Sequence, residues 1–428
     1  MNTIHHRVQR LRSRIDELAA ISEEAGVITR RYGTVAWRAG AEKVLRWMEE
    51  AGLEARIDAI GNVRGRLRGD VIDGGEVRSG VKGSRRVLVI GSHIDTVRNA
   101  GRWDGPLGVL MGLDLLEEAI KEKRDFPFDI EVIAFCDEEG VRYHSTYLGS
   151  QVAAGRFDPS YLQRKDEEGI SLEEAILAWG GDPADLKDEA IPAEGWLGYF
   201  EIHIEQGPIL YERKIPVAVV RAIAGQMREE VIFRGVAGHA GTVPMDRRRD
   251  ALCAAAEWIL EVEKFAVAAG KELVATVGKL QIPQAASNVI PGEVVCSLDL
   301  RSAEEAVLWR AYEQIGALSE AIGRRRGIRI ERKRVQTSLP VICDRRMSSL
   351  LGEVIRDAGY EELCLMSGAG HDGVMIAAVA PVAMLFVRCY QGISHHPLED
   401  VAEGDLMAAI PICDKFIQQL TEIWRYPP

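Results

Sequence analysis

Three carboxylates in a row, Asp137, Glu138 and Glu139, follow the mostly apolar run IEVIAFC and precede Gly140. The run has the residue types of a buried strand, so the acid block falls where little water is expected. Adjacent carboxylates push each other's protons on unless something positive sits nearby. A solvated strand end accounts for the block blandly; a bound cation accounts for it chemically. Other residues capable of holding a cation occur in similar places. His93 follows VLVIGS, and Asp95 stands two residues on, a spacing that lets a carboxylate hold a metal-binding imidazole in its tautomer. Asp104 lies in GRWDGPLGV ahead of a helix, where it fits either a ligand or an N-cap. His203 alternates with Glu201 and Glu205 in EIHIEQGP, and His395 and His396 are adjacent in GISHHPLED.

Imidazoles mixed with carboxylates form a donor set for Zn, Mn, Co or Ni ions. A single catalytic zinc takes about three protein ligands. His93, Asp104, Glu139, His203 and one of His395 or His396 make five, which serve two divalent metal ions if one carboxylate bridges them. Water activated between two ions needs a base within hydrogen-bond reach. Glu138, beside the expected ligand Glu139, takes that role, and Asp137 is left a structural one.

The elements that must position these residues read as α/β. Helical spacing covers 7–25 and 39–52, strand patterns cover 54–59, 63–67 and 86–92, and a hairpin excursion is expected over 68–85. GRWDGPLGVLMGLDLLEEAIKE then leads from a loop into a helix, and the IEVIAF strand follows. This is a crossover unit of a mixed, mainly parallel sheet with helices on both faces. Residues 155–195 read as helical and polar with several turn signals, and 196–210 returns to strand. From about 215 the order becomes β-α-β-β-α-β, the pattern of an inserted ferredoxin-like α+β domain. The expected division is a catalytic domain at 1–213 and 333–428, with a lid and dimerisation domain at 214–332.

Composition bounds the class. The 428 residues are 47% hydrophobic and 28% charged, with a net charge of −12 that speaks against a nucleic-acid surface. The basic run from Arg324–Arg326 to Arg334 reads as the exposed face of a strand. No apolar stretch reaches membrane-spanning length, and the charged N-terminus lacks a signal-peptide core. Seven scattered cysteines without a C-x-x-C pair fit a reducing cytoplasm rather than a disulfide framework. Cys136, inside an apolar run, is a weak candidate nucleophile.

In order along the chain, GSHIDTV, GRWDGPLGV, DEEG, HIEQGP, GHAGTVPM, SNVIPGEV, SLDLR, SGAGHDG and GISHHPLE resemble the motifs of one family. It is the ureido-acid branch of the aminoacylase/carboxypeptidase-type dinuclear metallopeptidases: allantoate amidohydrolase, N-carbamoyl-L-amino-acid amidohydrolase and β-ureidopropionase. The resemblance implies one metal at His93 and His203, a second at Glu139 and His395, and Asp104 bridging. It implies His395 rather than His396, from its place in I-S-H, and Glu138 as base and proton shuttle. His239 matches a histidine that reaches the partner subunit's site and steadies the oxyanion, which implies a homodimer. Asn288 and Arg301 match residues that bind the substrate carboxylate, Gln206 matches a contact to the ureido group, and His371 matches a substrate-side residue. The implied reaction is hydrolysis of a ureido C–N bond in a small carboxylate-bearing molecule. Allantoate and N-carbamoyl-L-amino acids stand nearly level as substrates, with β-ureidopropionate third. The alternative activity is that of a metallopeptidase or aminoacylase on dipeptides or acyl-amino acids; a non-catalytic scaffold is disfavoured because the base and all five ligand positions are filled.

Overall fold

Val87–His93, Asp129–Phe135, Trp196–Ile204 and Val382–Val387 are buried along their whole length, and all but Trp196–Ile204, which carries Glu201 and His203, are mostly apolar runs. In the computed structural model, which describes residues 2–69, 72–73, 76–77 and 86–425, these four strands lie side by side and parallel. Their order in the sheet is 129–135, 87–93, 196–204, 382–387. Antiparallel strands flank them, Val63–Leu67 and Glu54–Ile57 on one side and Val217–Ile223 on the other. All four parallel strands present their carboxyl ends at one edge, the edge where ligands bind in open α/β sheets.

Helix Pro106–Lys121 is apolar nearly all round because it is covered on both sides: it packs on the parallel strands and under helices Asn2–Ala19 and Glu403–Arg425. Its closeness to the sheet depends on Gly108 and Gly112, where a Cβ would meet Ile202 and Ile90. The chain separates into two compact units, Met1–Arg221 with Cys343–Pro428, and Ala222–Ile342. The second unit has its own core, with Val231, Phe233, Leu298 and Leu300 turned towards helices Ala251–Ala269 and Glu305–Arg326. Its strands Gly225–Arg234 and Glu293–Ser302 alternate buried and open residues, as expected of an antiparallel sheet covered on one face. The strand order 274–276, 293–302, 225–234, 329–338 is antiparallel throughout, the split β-α-β arrangement.

Two local readings differ from the structure. Between 155 and 195 the only α-helix is Leu172–Trp179, because Pro159, Gly169, Gly180, Pro183 and Pro192 break the segment into turns. The basic run is not one strand face. Arg324–Arg326 close helix Glu305–Arg326, where cations suit the helix dipole, and Gly327 turns the chain at φ +65° before strand Arg329–Ser338. The excursion expected over 68–85 lies mostly outside the described residues; within it Ile72–Asp73 pairs antiparallel with Glu76–Val77.

Candidate metal centre

The carboxyl ends of the four parallel strands carry the chemistry. His93 is the last residue of its strand, Asp137–Glu139 follow Phe135, His203 is the penultimate residue of Trp196–Ile204, and the loop after Val387 leads to His395. Three groups of side chains lie close enough to share an ion: His93, Asp104 and His203; His93, Glu138 and Glu139; and Asp104, Glu139 and His395. Asp104 joins the first to the third. His203 Nε2 stands 3.1 Å from Asp104 Oδ1, and His395 Nε2 stands 3.0 Å from Oδ2 and 3.5 Å from Glu139 Oε1. His93 Nε2 is 3.7 Å from Asp104 and 3.9 Å from Glu138.

Asp104 is not the helix cap that its sequence position allowed. Gly105, at φ +83°, is the cap residue and makes no side-chain cap bond. A side chain at Gly105 would strike the His93 ring, with a Cβ 2.6 Å from its Cε1. Only glycine combines that approach with that φ.

The backbone sets the imidazole tautomers. His93 Nδ1 donates to Asp95 O at 3.0 Å and His203 Nδ1 to Ile204 O at 2.9 Å, which turns each Nε2 lone pair inward. His203 Nε2 is buried and finds no hydrogen-bond partner. A lone pair facing a carboxylate oxygen in a dry site is unfavourable without a cation or proton between them. The acid balance points the same way. Asp95, Asp104, Asp137, Glu138, Glu201, Asp372 and Glu399 are all buried around the site. Burial drives the Glu138 pKa well up, with Glu139 and Asp372 adding to it and His93 opposing. Burial and Asp104 bring Glu139 up to about 7. Burial opposes ionisation of Asp104 as well, but His203, His395 and His93 outweigh it and hold its pKa well below the usual range. Asp104 raises His395 to about 9. The donor set therefore fits divalent cations: N/O donors, inward lone pairs, and negative charge in excess of the protein's own cations nearby.

Asp95 supports the acid block from beneath. Its two carboxylate oxygens accept from Glu138 N and Glu139 N, each at 3.1 Å. Asp137 sits at φ +50°, the left-handed region that few non-glycine residues adopt, and this kink turns Glu138 and Glu139 towards the histidines. Gln206 and His395, at φ +55° each, share that backbone strain. Gln206 Nε2 donates to Asp104 Oδ2 at 2.9 Å and Ser394 Oγ at 3.0 Å, while its Oε1 has no partner.

His396 is exposed, and its Nδ1 accepts from Leu398 N at 3.1 Å, so it closes its own turn and belongs to none of the three donor groups. His371 is enclosed rather than open to the site. Its Nε2 is 2.6 Å from Ser367 Oγ, and its ring meets that of His203 edge-on at 4.5 Å. Burial, with His203 nearby, keeps the His371 pKa well below the ordinary value.

The remaining candidates lie in the second unit. His239 is exposed on the two-residue strand Gly238–His239, which pairs with Val289–Ile290. Its Nδ1 accepts from Gly241 N at 3.1 Å, which leaves Nε2 to carry the proton of the neutral ring. Asn288 is exposed beside it, its backbone oxygen accepting from Ala240 N. Arg301 is half-buried and forked onto Asp299, with two bonds of 3.0 Å. Sequence reasoning missed Ser394, Glu399 and Asp372. Ser394 and Glu399 stood inside a motif already quoted for its histidines; Asp372 adjoined His371.

Fold and donor set together define a metallohydrolase-type α/β protein. The model of peptidase family M20/M25/M40 matches residues 89–419, and the chain belongs to that family. It is 36% identical over 415 residues to an N-carbamoyl-L-amino acid amidohydrolase of Geobacillus stearothermophilus, covering 97% of this chain and 98% of the relative. It is also 36% identical over 431 residues to an allantoate deiminase of Arabidopsis thaliana, covering 93% and 79%. Among solved structures, a hydantoinase/carbamoylase family amidase from Burkholderia multivorans superposes with a TM-score of 0.85 at 32% identity, covering 96% of this chain and 97% of that one.

Proposed function

We propose that this protein is a dinuclear metal-dependent amidohydrolase that cleaves the terminal ureido C–N bond of a carboxylate-bearing substrate, an allantoate or an N-carbamoyl-L-amino acid. The observation that carries the reading is the sharing of Asp104 between two donor groups, in one of which His93 and His203 turn their Nε2 atoms inward. The names of the relatives at 36% identity support the substrate class. His93, His203 and Asp104 would hold one divalent ion, and Asp104, Glu139 and His395 the other. Ions bound there supply Lewis acidity to the ureido carbonyl and to the attacking water.

The chain's own residues do the rest. Glu138, its carboxylate kept basic by burial and by neighbouring acids, takes the water proton and delivers it to the leaving nitrogen. Ammonia departs, and the carbamate left behind loses carbon dioxide. Arg301 releases one face of its fork to the substrate carboxylate, with Asn288 as a second donor. Gln206 Oε1, without a partner, accepts from the ureido NH2. His371 acts on the substrate side only through the His203 ring. His239 presents its Nε2–H to the developing oxyanion of the partner subunit's site.

The inserted region, placed at 214–332 from sequence, serves as lid and dimerisation domain. Strand Val274–Thr276 is a sheet edge, and helix Ala251–Ala269 exposes Leu260 and Val267, a combination that favours burial against a second copy. Among the described residues no helix is long and apolar enough to cross a membrane, and all seven cysteines are unpaired, which supports a cytoplasmic setting.

The test is ammonia release from allantoate, N-carbamoyl-L-amino acids and β-ureidopropionate by chelated protein with and without added Mn²⁺, Co²⁺ or Zn²⁺. Metal-dependent turnover of one ureido acid is the expected result. Cleavage of dipeptides or acetylated amino acids with no ammonia from any ureido acid would replace this reading with a peptidase or aminoacylase.

A further inference from the structure

We propose that Glu399 is a positioning residue: it clamps the backbone of Asp104 and thereby holds the shared carboxylate between the two halves of the donor cluster. The inference rests on the dinuclear reading above. Glu399 is 1% exposed, and its Oε1 accepts from two backbone groups, Trp103 N at 2.7 Å and Asp104 N at 3.0 Å. Residues 101–104 lie between a strand and a helix, so those two N–H groups have no ladder to join, and a buried N–H demands a partner. The clamp therefore determines where the Asp104 backbone rests. The Asp104 side chain is then free to face His203, His395, Gln206 and Ser394.

Glu399 also belongs to the segment that carries His395. Glu399 N donates to His396 O at 3.0 Å, closing the turn after the two histidines. The next residue, Asp400, accepts from Trp103 Nε1 at 3.1 Å through its Oδ1. The His395 loop is thus docked on the Asp104 loop by bonds that involve no ligand atom. Gly101 makes room for the clamp, since a Cβ there would collide with the Glu399 carboxylate. Asp95 does the same for the other ligand-bearing loop, accepting from Glu138 N and Glu139 N. The loops that follow Val87–His93 and Asp129–Phe135 thus each have a buried carboxylate across two successive N–H groups.

Placing one more acid beside Asp104 carries an electrostatic cost. Both backbone N–H groups donate to Glu399 Oε1, so one oxygen makes the whole clamp. The function assigned here is geometric, and an amide of the same shape should preserve it. That separates the clamp from a role for the charge.

The experiment titrates metal-free full-length protein with Co²⁺ and reads ion stoichiometry by equilibrium dialysis together with the visible Co²⁺ spectrum, so no turnover is involved. Wild type is expected to take two ions. Glu399→Ala is expected to lose about 10–100-fold in affinity for the ion shared by Asp104 and His395, the usual range for removing an outer partner of a metal ligand. Glu399→Gln is expected to keep both ions and the wild-type spectrum. Gly101→Ala, whose added Cβ collides with the same carboxylate, is expected to reproduce the loss. If Glu399→Ala does not fold, judged by circular dichroism of the metal-free protein, Gly101→Ala against Glu399→Gln carries the same comparison. Unchanged affinity in Glu399→Ala or in Gly101→Ala would overturn the proposal, as would a Glu399→Gln as weak as alanine. A wild type that binds fewer than two ions would bring down the dinuclear reading, and this inference with it.

Discussion

The two units of this chain hold their candidate residues in opposite ways. In Met1–Arg221 with Cys343–Pro428, His93, His203, Asp104 and Glu138 are buried, and their atoms are tied by backbone carbonyls, by Asp95 and by Glu399 before any ligand arrives. In Ala222–Ile342, His239 and Asn288 are exposed on short paired segments, and Arg301 is occupied by Asp299. The difference follows from sheet type. A parallel sheet covered on both faces drives polar groups to the strand ends, where they must be satisfied. An antiparallel sheet covered on one face leaves the other free to carry polar residues. A site that concentrates charge needs the first arrangement; residues that meet a substrate after it arrives can use the second.

Changes in the two units should therefore fail differently. The largest effect is expected for Asp104→Ala, which removes the group common to both donor sets: turnover falls to the uncatalysed background and metal analysis shows ions lost. An Asp104→Ala protein that retained two ions would break the comparison at its centre. Next comes Glu138→Gln, which should keep its ions and lose about 10²–10⁴-fold in kcat, the usual contribution of a positioned base. His239→Ala should lose about 10²–10³-fold in kcat, in line with removal of one oxyanion donor, with ion content unchanged. Mixing His239→Ala with Glu138→Gln subunits should restore activity if the imidazole acts across a dimer; no recovery would keep His239 within its own subunit.

Smaller still is Arg301→Lys. It should raise KM by about 10–100-fold with kcat little changed, because a charged hydrogen bond is worth about 1.5–3 kcal/mol and lysine cannot fork. A fall in kcat alone would move Arg301 from binding to chemistry.

The smallest effect on turnover is expected beneath the donor cluster. Buried Asp58 accepts from Gly61 N, Asn62 N and Asn62 Nδ2, and Asn62 Oδ1 in turn accepts from Cys136 N, just before the acid block. Burial, opposed by Arg64, raises Asp58 from 3.8 to about 6. An acid with a raised folded pKa is penalised when ionised. The folded state then holds the extra proton, and stability rises as pH falls from above 6 towards 4, by up to about 3 kcal/mol. Urea unfolding of metal-free wild type against Asp58→Asn should show a steeper gain of stability with falling pH in the wild type. Equal slopes in the two proteins would remove Asp58 from the support of the acid block.

Much of this was legible in the residues. The strand patterns read at 86–92 and 130–135 became central parallel strands, because full burial on both faces removes alternation and leaves an unmistakable run. Turn-rich 155–195 was misread because its helical spacing competes with proline and glycine every few residues. Glu399 was overlooked because its partners are backbone N–H groups almost 300 positions away in the chain, and no local pattern announces them.

By itself the sequence determined the donor types, their place after buried strands, and the motif order that marks the family. Composition and short-range spacing express those properties directly. Tertiary structure alone decided that His395 meets Asp104 while His396 caps its own turn, and that His371 lies behind His203. It also decided that Asp104 is no helix cap, and that Asp95 and Glu399 clamp the ligand loops. Each of these depends on which atoms of distant segments face one another, and that is set by how four strand ends converge.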